Sequence, residues 1–429
     1  MNSRRDVLRG SDVLVHDGKI QAVGKVSRGR NALRVLDAQG CAVIPGLIHG
    51  HLHACQTLFR NQAEGLALLD WLKRRIWPLE AAHTFASMRA SADLTFAELI
   101  RSGATAALDM GSVHHYDAVF ESARDCGFRL TGGKAMMDVG KGVPRGLREN
   151  RRDSISESLR LLKTWHGAEK GRLRYAFAPR FALSCSKALL KEVSRLALEF
   201  GVGIHTHASE NPTECTVVRQ EVGLDNVDYF HRLGLSGPHV TLAHCVWLTP
   251  KEQRLLRETR TVVCHCPSSN LKLASGLAKV PELLADGVTV ALGADGAPCN
   301  NNLDLFLEMR LAALIHKPRT GAHSMTPLQV LEMATLHGAQ AIGQGQQLGS
   351  IEVGKGADLT VVELNGLHAQ PSGGDVVAQL VYSAHSRDVR DVIIAGRWVL
   401  RNRELLTIDE AAVRKRAQRH AAKISATVS

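Results

Sequence analysis

The stretch Pro45-Gly-Leu-Ile-His-Gly-His-Leu-His53 places histidines at every second position: His49, His51 and His53. Residues two apart on a β-strand share a face, so two imidazoles at this spacing can converge on one metal ion. The apolar run Ala42-Val-Ile44 leads into them, and the same stretch also reads as an ordinary buried strand rich in histidine. Downstream residues separate the two readings. His207, His244 and Asp295 each close a later apolar strand segment. With His51 and His53 they supply the nitrogen and carboxylate ligands of a hydrolytic site for zinc or another divalent ion.

Glu210 stands three residues beyond His207 in His205-Thr-His-Ala-Ser-Glu-Asn211. It can reach a substrate at the metal without ligating the ion, and a carboxylate there can shuttle protons to a ring nitrogen or a leaving group. Ser209 and Glu210 also read as the opening of a helix, where acidic residues are favoured for electrostatic reasons. The fourth strand candidate, running from Tyr175 to Phe181, holds no lysine. Binuclear barrel hydrolases commonly bridge two metals through a carboxylated lysine on that strand, so one ion per chain is expected.

Strand candidates that position these residues are 42–49, 105–110, 129–136, 173–179, 202–207, 239–245, 260–265 and 289–294, with helical segments between, such as Ser186 to Phe200 and Val280 to Asp286. The strands read as continuous apolar runs, as expected when both faces are covered. Eight βα units predict an α/β fold of the (β/α)8 TIM-type barrel class, whose functional residues lie at the C-terminal ends of the strands. A doubly wound sheet is disfavoured because no glycine-rich phosphate loop follows the first strand. Asp12-Val-Leu-Val-His16, a turn at Asp17-Gly18 and Lys19-Ile-Gln-Ala-Val23 predict a hairpin. Asp358 to Glu363 and Val392 to Leu400 read as further strands, and 408–425 as a terminal helix. Residues 1–43 and 350–429 are thus expected to form a small β-sandwich domain with that helix, bracketing a hydrolase barrel at 44–349.

The 429 residues are 45% hydrophobic and 22% charged, enough for a large enclosed core. A formal charge of +11 is spread along the chain, with four tyrosines and ten phenylalanines available for stacking. This favours a solvated basic surface over a nucleic-acid partner. No apolar run approaches the roughly 18 residues of a membrane span, and no apolar segment follows the basic N-terminus as in a signal peptide. The nine cysteines form no C-x-x-C pair, and Cys264-His265-Cys266 lacks the spacing of a zinc knuckle. A reduced cytoplasmic compartment is expected.

The segments 45–53, His207 to Asn211, Ala243-His-Cys245, His265 to Gly276 and Gly293 to Asn302 resemble the aminohydrolase branch of the amidohydrolase superfamily, and Gly349 to Leu359 extends the likeness almost to the end of the chain. The His265 to Gly276 and Gly293 to Asn302 segments are most similar to methylthioadenosine/S-adenosylhomocysteine deaminases and 5′-deoxyadenosine deaminases. The resemblance implies His51, His53, His207 and Asp295 as ligands of one divalent ion per chain, zinc. It implies Glu210 as the proton shuttle and His244 as the partner of the attacking water. Glu80, in Trp77-Pro-Leu-Glu80, falls where such enzymes hold ribose hydroxyls, and Arg148, in the basic loop 145–152, falls where a substrate tail is held. The implied reaction is deamination of an adenine nucleoside, with Asp295 and His244 helping to deprotonate the water and Glu210 protonating the ring.

Two positions and the start of the chain depart from that pattern. His49 stands where the family usually has Asp or Asn, which makes it a packed neighbour. Arg180 replaces a histidine of the adenosine-type enzymes, and Pro179-Arg-Phe with Ser184-Cys-Ser186 is similar to guanine deaminase instead. Arginine only donates, so it suits a purine carbonyl, which adenine lacks. The family also usually has an apolar strand before the equivalent of Asn2-Ser3-Arg4, so a shortened chain or late start codon and an unpaired edge in the β-domain are expected. Guanine, pterin or s-triazine deamination stays open as an alternative, as does, more remotely, a metal-free scaffold. The expected partner is a small amino-heterocycle or nucleoside, with neither nucleic acid nor membrane, and a homo-oligomer is expected.

Overall fold

In the computed structural model, residues 2, 4–26, 34–371 and 373–428 are described. Strands β1 (Asp12–His16) and β2 (Lys19–Gly24) form the expected antiparallel hairpin. The stretch 42–49, expected as one strand, divides between two sheets. Strand β3 (Cys41–Pro45) pairs antiparallel with residues 359–363 near the other end of the chain, and β4 (Leu47–Leu52) opens the parallel barrel. Gly46 is the joint. A Cβ there would lie 2.1 Å from the Thr105 hydroxyl, so only glycine lets the chain cross so close to the next strand.

The barrel continues through β5 (Ala104–Met110), β6 (Arg129–Gly133) with its extension β7 (Ala135–Met136), β8 (Leu173–Pro179), β9 (Gly203–Ala208), β10 (Val240–His244), β11 (Val262–His265) and β12 (Val290–Leu292). The parallel order is β4-β5-β6-β8-β9-β10-β11-β12, and β7 pairs with β8. A parallel bridge from Leu52 to Asp295, with Asp295 N–H donating to His51 O at 3.2 Å, closes the ring. Every residue of β4, β5, β10 and β11 is buried, which accounts for their apolar, non-alternating sequences.

Intervening helices carry local signals. Ser186 caps Lys187–Phe200 by accepting from Leu189 N–H, and Gly201 ends that helix at φ 63°. The helix after β9 spans Pro212–Val222 and is capped by Asn211, so Ser209 and Glu210 lie in the turn ahead of it and do not open it.

Strands β13 (Leu359–Glu363), β14 (Val389–Ile394), β15 (Arg397–Arg401) and β16 (Glu404–Leu405) complete an antiparallel sheet in the order β16-β15-β14-β13-β3. Ile20 of the N-terminal hairpin packs with Leu359, flanked by Val13, Val15, Val43 and Ile393, making a two-layer β-sandwich built from both chain ends. The terminal helix, Glu410–Val428, returns to the barrel and packs Ala417 and Ile424 on Leu58, Phe59 and Leu79. No helix among the described residues is long and apolar enough to cross a membrane.

Candidate active site

Alternation along β4 brings His51 and His53 to the C-terminal mouth of the barrel, and alternation along β9 brings His205 and His207. Each imidazole there is held through one nitrogen. His53 Nδ1 lies 2.7 Å from Met110 O, His207 Nδ1 lies 2.6 Å from Arg180 O, and His51 Nδ1 lies 2.8 Å from His205 Nε2. The carbonyls accept, so the Nδ1 atoms of His53 and His207 carry the protons and their Nε2 lone pairs face inward. His51 completes the pattern when its Nδ1–H donates to His205. Burial holds His51 and His207 below the ordinary imidazole range, and His53 falls to about 3. The rings are therefore neutral.

The inward atoms lie close together. His53 Nε2 is 3.2 Å from His207 Nε2, and Asp295 Oδ1 is 3.3 Å from His51 Nε2 and 3.4 Å from His53 Nε2. Buried His51 Nε2 has no hydrogen-bond partner. Three basic nitrogens and a carboxylate oxygen facing one point fit a divalent ion of the zinc type. Asp295 is oriented by Ser269 Oγ, which donates to Oδ2 at 2.6 Å, and by Gly296 N–H, which donates to Oδ1 at 2.7 Å. Burial opposes its charge, but the nearby His51 and His244 imidazoles hold its carboxyl well below the usual range.

His244 and Glu210 face the same space from the neighbouring strand ends. Asn270 Oδ1 accepts from His244 Nδ1 at 2.9 Å, which turns Nε2 toward Glu210 Oε2 at 3.5 Å and Asp295 Oδ2 at 3.9 Å. Glu210 is 4% exposed, and its Oε1 is unpartnered. Burial, reinforced by the charges of Asp295 and Glu214, pushes its carboxyl well above the ordinary range, the direction required of a proton donor. Glu214 fixes the turn by accepting from Glu210 N–H at 2.8 Å and Asn211 N–H at 3.3 Å. The non-glycine residues Ser209, His244, Cys245 and Asp295 all have positive φ, between 48° and 73°, so backbone strain is concentrated at these strand ends.

The remaining expected residues are placed differently. Arg180 lines the cavity, but its guanidinium is committed to Glu80 by two contacts, Nη1 to Oε2 at 2.5 Å and Nη2 to Oε1 at 3.1 Å. Gln56 Nε2 also donates to Glu80 Oε1 at 2.8 Å. Glu80 is 2% exposed and does not border the cavity, and Arg148 is exposed on its loop. His49 is fully buried with neither ring nitrogen partnered, a packed neighbour below the cluster. Leu68, Trp71, Leu72, Phe181 and Leu273 form the apolar wall over the polar floor. His205, Ser269, Asn270, Gln56 and Glu214 enter the site only with the structure. The His205/His207 alternation and the Asn211-x-x-Glu214 capping signature were the signals in the sequence that could have found two of them.

A closed eight-stranded barrel with imidazoles and carboxylates converging at its C-terminal mouth defines a metal-site hydrolase architecture. The chain belongs to the Amidohydrolase family, whose profile matches residues 42–399. It is 37% identical to a 5′-deoxyadenosine deaminase of Methanosarcina mazei, covering 99% of this chain and 95% of the relative. It is 40% identical to a 5-methylthioadenosine/S-adenosylhomocysteine deaminase of Syntrophobacter fumaroxidans, covering 95% and 92%. Among solved structures, an adenosine deaminase from Xanthomonas campestris with bound zinc matches with a TM-score of 0.92 at 33% identity, covering 98% of this chain and 95% of that one.

Proposed function

We propose that the protein is a metal-dependent aminohydrolase that releases ammonia from an adenine nucleoside, with 5′-deoxyadenosine, methylthioadenosine, S-adenosylhomocysteine and adenosine as the candidate substrates. One divalent ion per chain, zinc, is held by His51, His53, His207 and Asp295. The observation that carries the reading is the convergence of His51, His53 and His207 Nε2 with Asp295 Oδ1, beside Glu210 Oε1 and His244 Nε2, which have no hydrogen-bond partner of their own. The names of the relatives support the nucleoside class.

A divalent ion held by His51, His53, His207 and Asp295 would lower the pKa of a water at the site to about 7. His244 Nε2, fixed by Asn270, accepts a proton from that water with Asp295 Oδ2 beside it. The water oxygen bonds to the amino-bearing ring carbon as Glu210 delivers its proton to the adjacent ring nitrogen; the amino group then takes up the proton held on His244 and leaves as ammonia, and the hydroxyl proton returns to Glu210 as the ring carbonyl forms. The wall of Leu68, Trp71, Leu72, Phe181 and Leu273 stacks the heterocycle and excludes bulk water. Glu80 and Arg148 are the residues assigned to the ribose hydroxyls and the distal part of the substrate, and Glu80 meets the substrate only when its pair with Arg180 opens.

The Arg180–Glu80 pair favours a second reading. A carboxylate already held by a guanidinium is a weak acceptor for a diol, and the remaining N–H donors of Arg180 suit a ring carbonyl or ring nitrogen, which makes guanine, a pterin or an s-triazine the alternative substrate. An ammonia-release screen over the four adenine nucleosides, guanine and triazines decides between them. Turnover of an adenine nucleoside is the expected result, and turnover of guanine alone would transfer the assignment to the second reading. After dialysis against metal-free buffer the protein is expected to retain about one ion per chain, and His51→Ala to lose both ion and activity. Full activity in His51→Ala would overturn the site.

A further inference from the structure

Away from the barrel mouth, two histidines and an aspartate meet on the surface of the β-sandwich side. His368 lies in the turn Leu367–Ala369, and His385 and Asp388 bracket the turn Ser386–Asp388. His368 Nε2 is 2.7 Å from Asp388 Oδ2, and His385 Nδ1 is 3.6 Å from the same oxygen. The two rings meet edge to face, with centroids 5.0 Å apart and planes at 68°. One ligand atom from each residue lies within 4.8 Å of the other two. Around a tetrahedral ion with ligands at about 2.0–2.1 Å, donors are about 3.4 Å apart. Small side-chain rotations therefore bring this triad to coordinating geometry. An ordinary ion pair accounts for one imidazole on Asp388, not for a second turned to the same oxygen.

The frame beneath the three side chains is fixed. Asp388 Oδ2 also accepts from His385 N–H at 2.8 Å, and Arg403 Nη1 donates to the carbonyls of Ser386, Arg387 and Val389 at 3.1, 2.5 and 2.8 Å. Gln379 Nε2 holds the other turn through Ala369 O at 2.5 Å. The side chains of His368 and His385 are 28% and 47% exposed, leaving positions open for water or an incoming ion. Two imidazoles and one carboxylate select borderline ions such as zinc, nickel or copper(II) over magnesium and calcium.

We propose that His368, His385 and Asp388 form a second, solvent-facing site for a borderline divalent metal, separate from the barrel mouth. It is the weaker of the two, because it offers only three ligands, two of them exposed, and Arg403 places a positive charge on its supporting turn. An ion there ties together residues 20 apart in sequence. It closes the loop around the helix Val376–Tyr382, whose last carbonyl accepts from Arg310 of the barrel helix Leu305–Ile315. Occupancy therefore stabilises the fold by mass action and leaves the reaction untouched.

The test is a zinc titration of untagged protein followed by metal analysis, with wild type and His368→Gln/His385→Gln side by side. Wild type is expected to take up about one more ion per chain than the double variant. Its thermal midpoint should rise with excess zinc while the variant's does not, and both should release ammonia at the same rate. Because the count is a difference between the two proteins, it does not depend on how the barrel site is loaded. Equal uptake, or a zinc-dependent midpoint that survives in the variant, would overturn the proposal. If the double variant does not fold, His385→Gln alone, at the more exposed position, is expected to show the same deficit in part, and its absence there would be equally decisive.

Discussion

Each imidazole in the metal cluster spends one nitrogen on the protein and turns the other inward, and that division of labour explains which residues the sequence exposed. Residues that face the reacting space sit at strand ends with a fixed spacing, so His51, His53, His207, His244, Asp295 and Glu210 were legible. Residues that hold them are defined by contacts across the barrel, and Asn270 under His244 or Ser269 under Asp295 carries no local signature. The Glu80–Arg180 pair joins residues 100 apart, which no periodicity reveals. Two outcomes follow. Glu210→Gln, which keeps the shape and every ligand, should retain metal while turnover falls roughly 10²-fold or more. Loss of metal in that protein would reassign Glu210 as a ligand. Arg180→Met leaves the Glu80 carboxylate buried with Gln56 as its donor and should cost about 3–5 kcal/mol of stability, most of which Arg180→Met/Glu80→Gln should recover. Denaturant titration of both proteins measures this.

At the scale of elements, apolar runs located the strands, but the run at 42–49 concealed a change of sheet. An unbroken hydrophobic pattern carries no mark where one sheet ends and the next begins, and Gly46 is informative only once Thr105 is seen against it. The left-handed conformations at Ser209, His244, Cys245 and Asp295 were equally hidden, because Ser and Cys do not favour them and the enrichment of His and Asp there is too weak to place one. They turn side chains inward at the end of a strand, and the close packing that imposes them can be probed. Gly293, in the turn from β12 to Asp295, has room for no side chain. A Cβ there would lie 2.7 Å from His51 O and 2.9 Å from His51 N, both backbone atoms. Gly293→Ala should wedge β12 from β4 at the closing seam, cost about 1–3 kcal/mol, and loosen the metal as well as the fold. Metal retention during dialysis is the sensitive readout, and wild-type retention would show that the seam can adjust.

For the molecule as a whole, the two chain ends read as strands from sequence, and their sandwich pairing follows. The division at 44–349, with 1–43 and 350–429 outside, is proposed as the functional one: chemistry in the first part, support in the second. The join between them is testable at one point. Arg129 opens β6 at the end of the barrel opposite the site and sends Nε and Nη2 to Asp358 at 2.7 and 2.9 Å, with both side chains nearly buried. Ala395 N–H donates to the same carboxylate at 2.8 Å, so Asp358 links the barrel floor to the β14–β15 turn. Arg129→Met leaves that carboxylate buried with a single donor, and a loss of about 3–5 kcal/mol in unfolding free energy is expected. In barrels of this kind the floor serves stability and the chemistry lies at the mouth, so the folded fraction of Arg129→Met should keep its metal and its turnover. A variant that unfolds normally but loses turnover would mean that this pair acts on the site across the length of the barrel, and the division into a catalytic and a supporting part would fail.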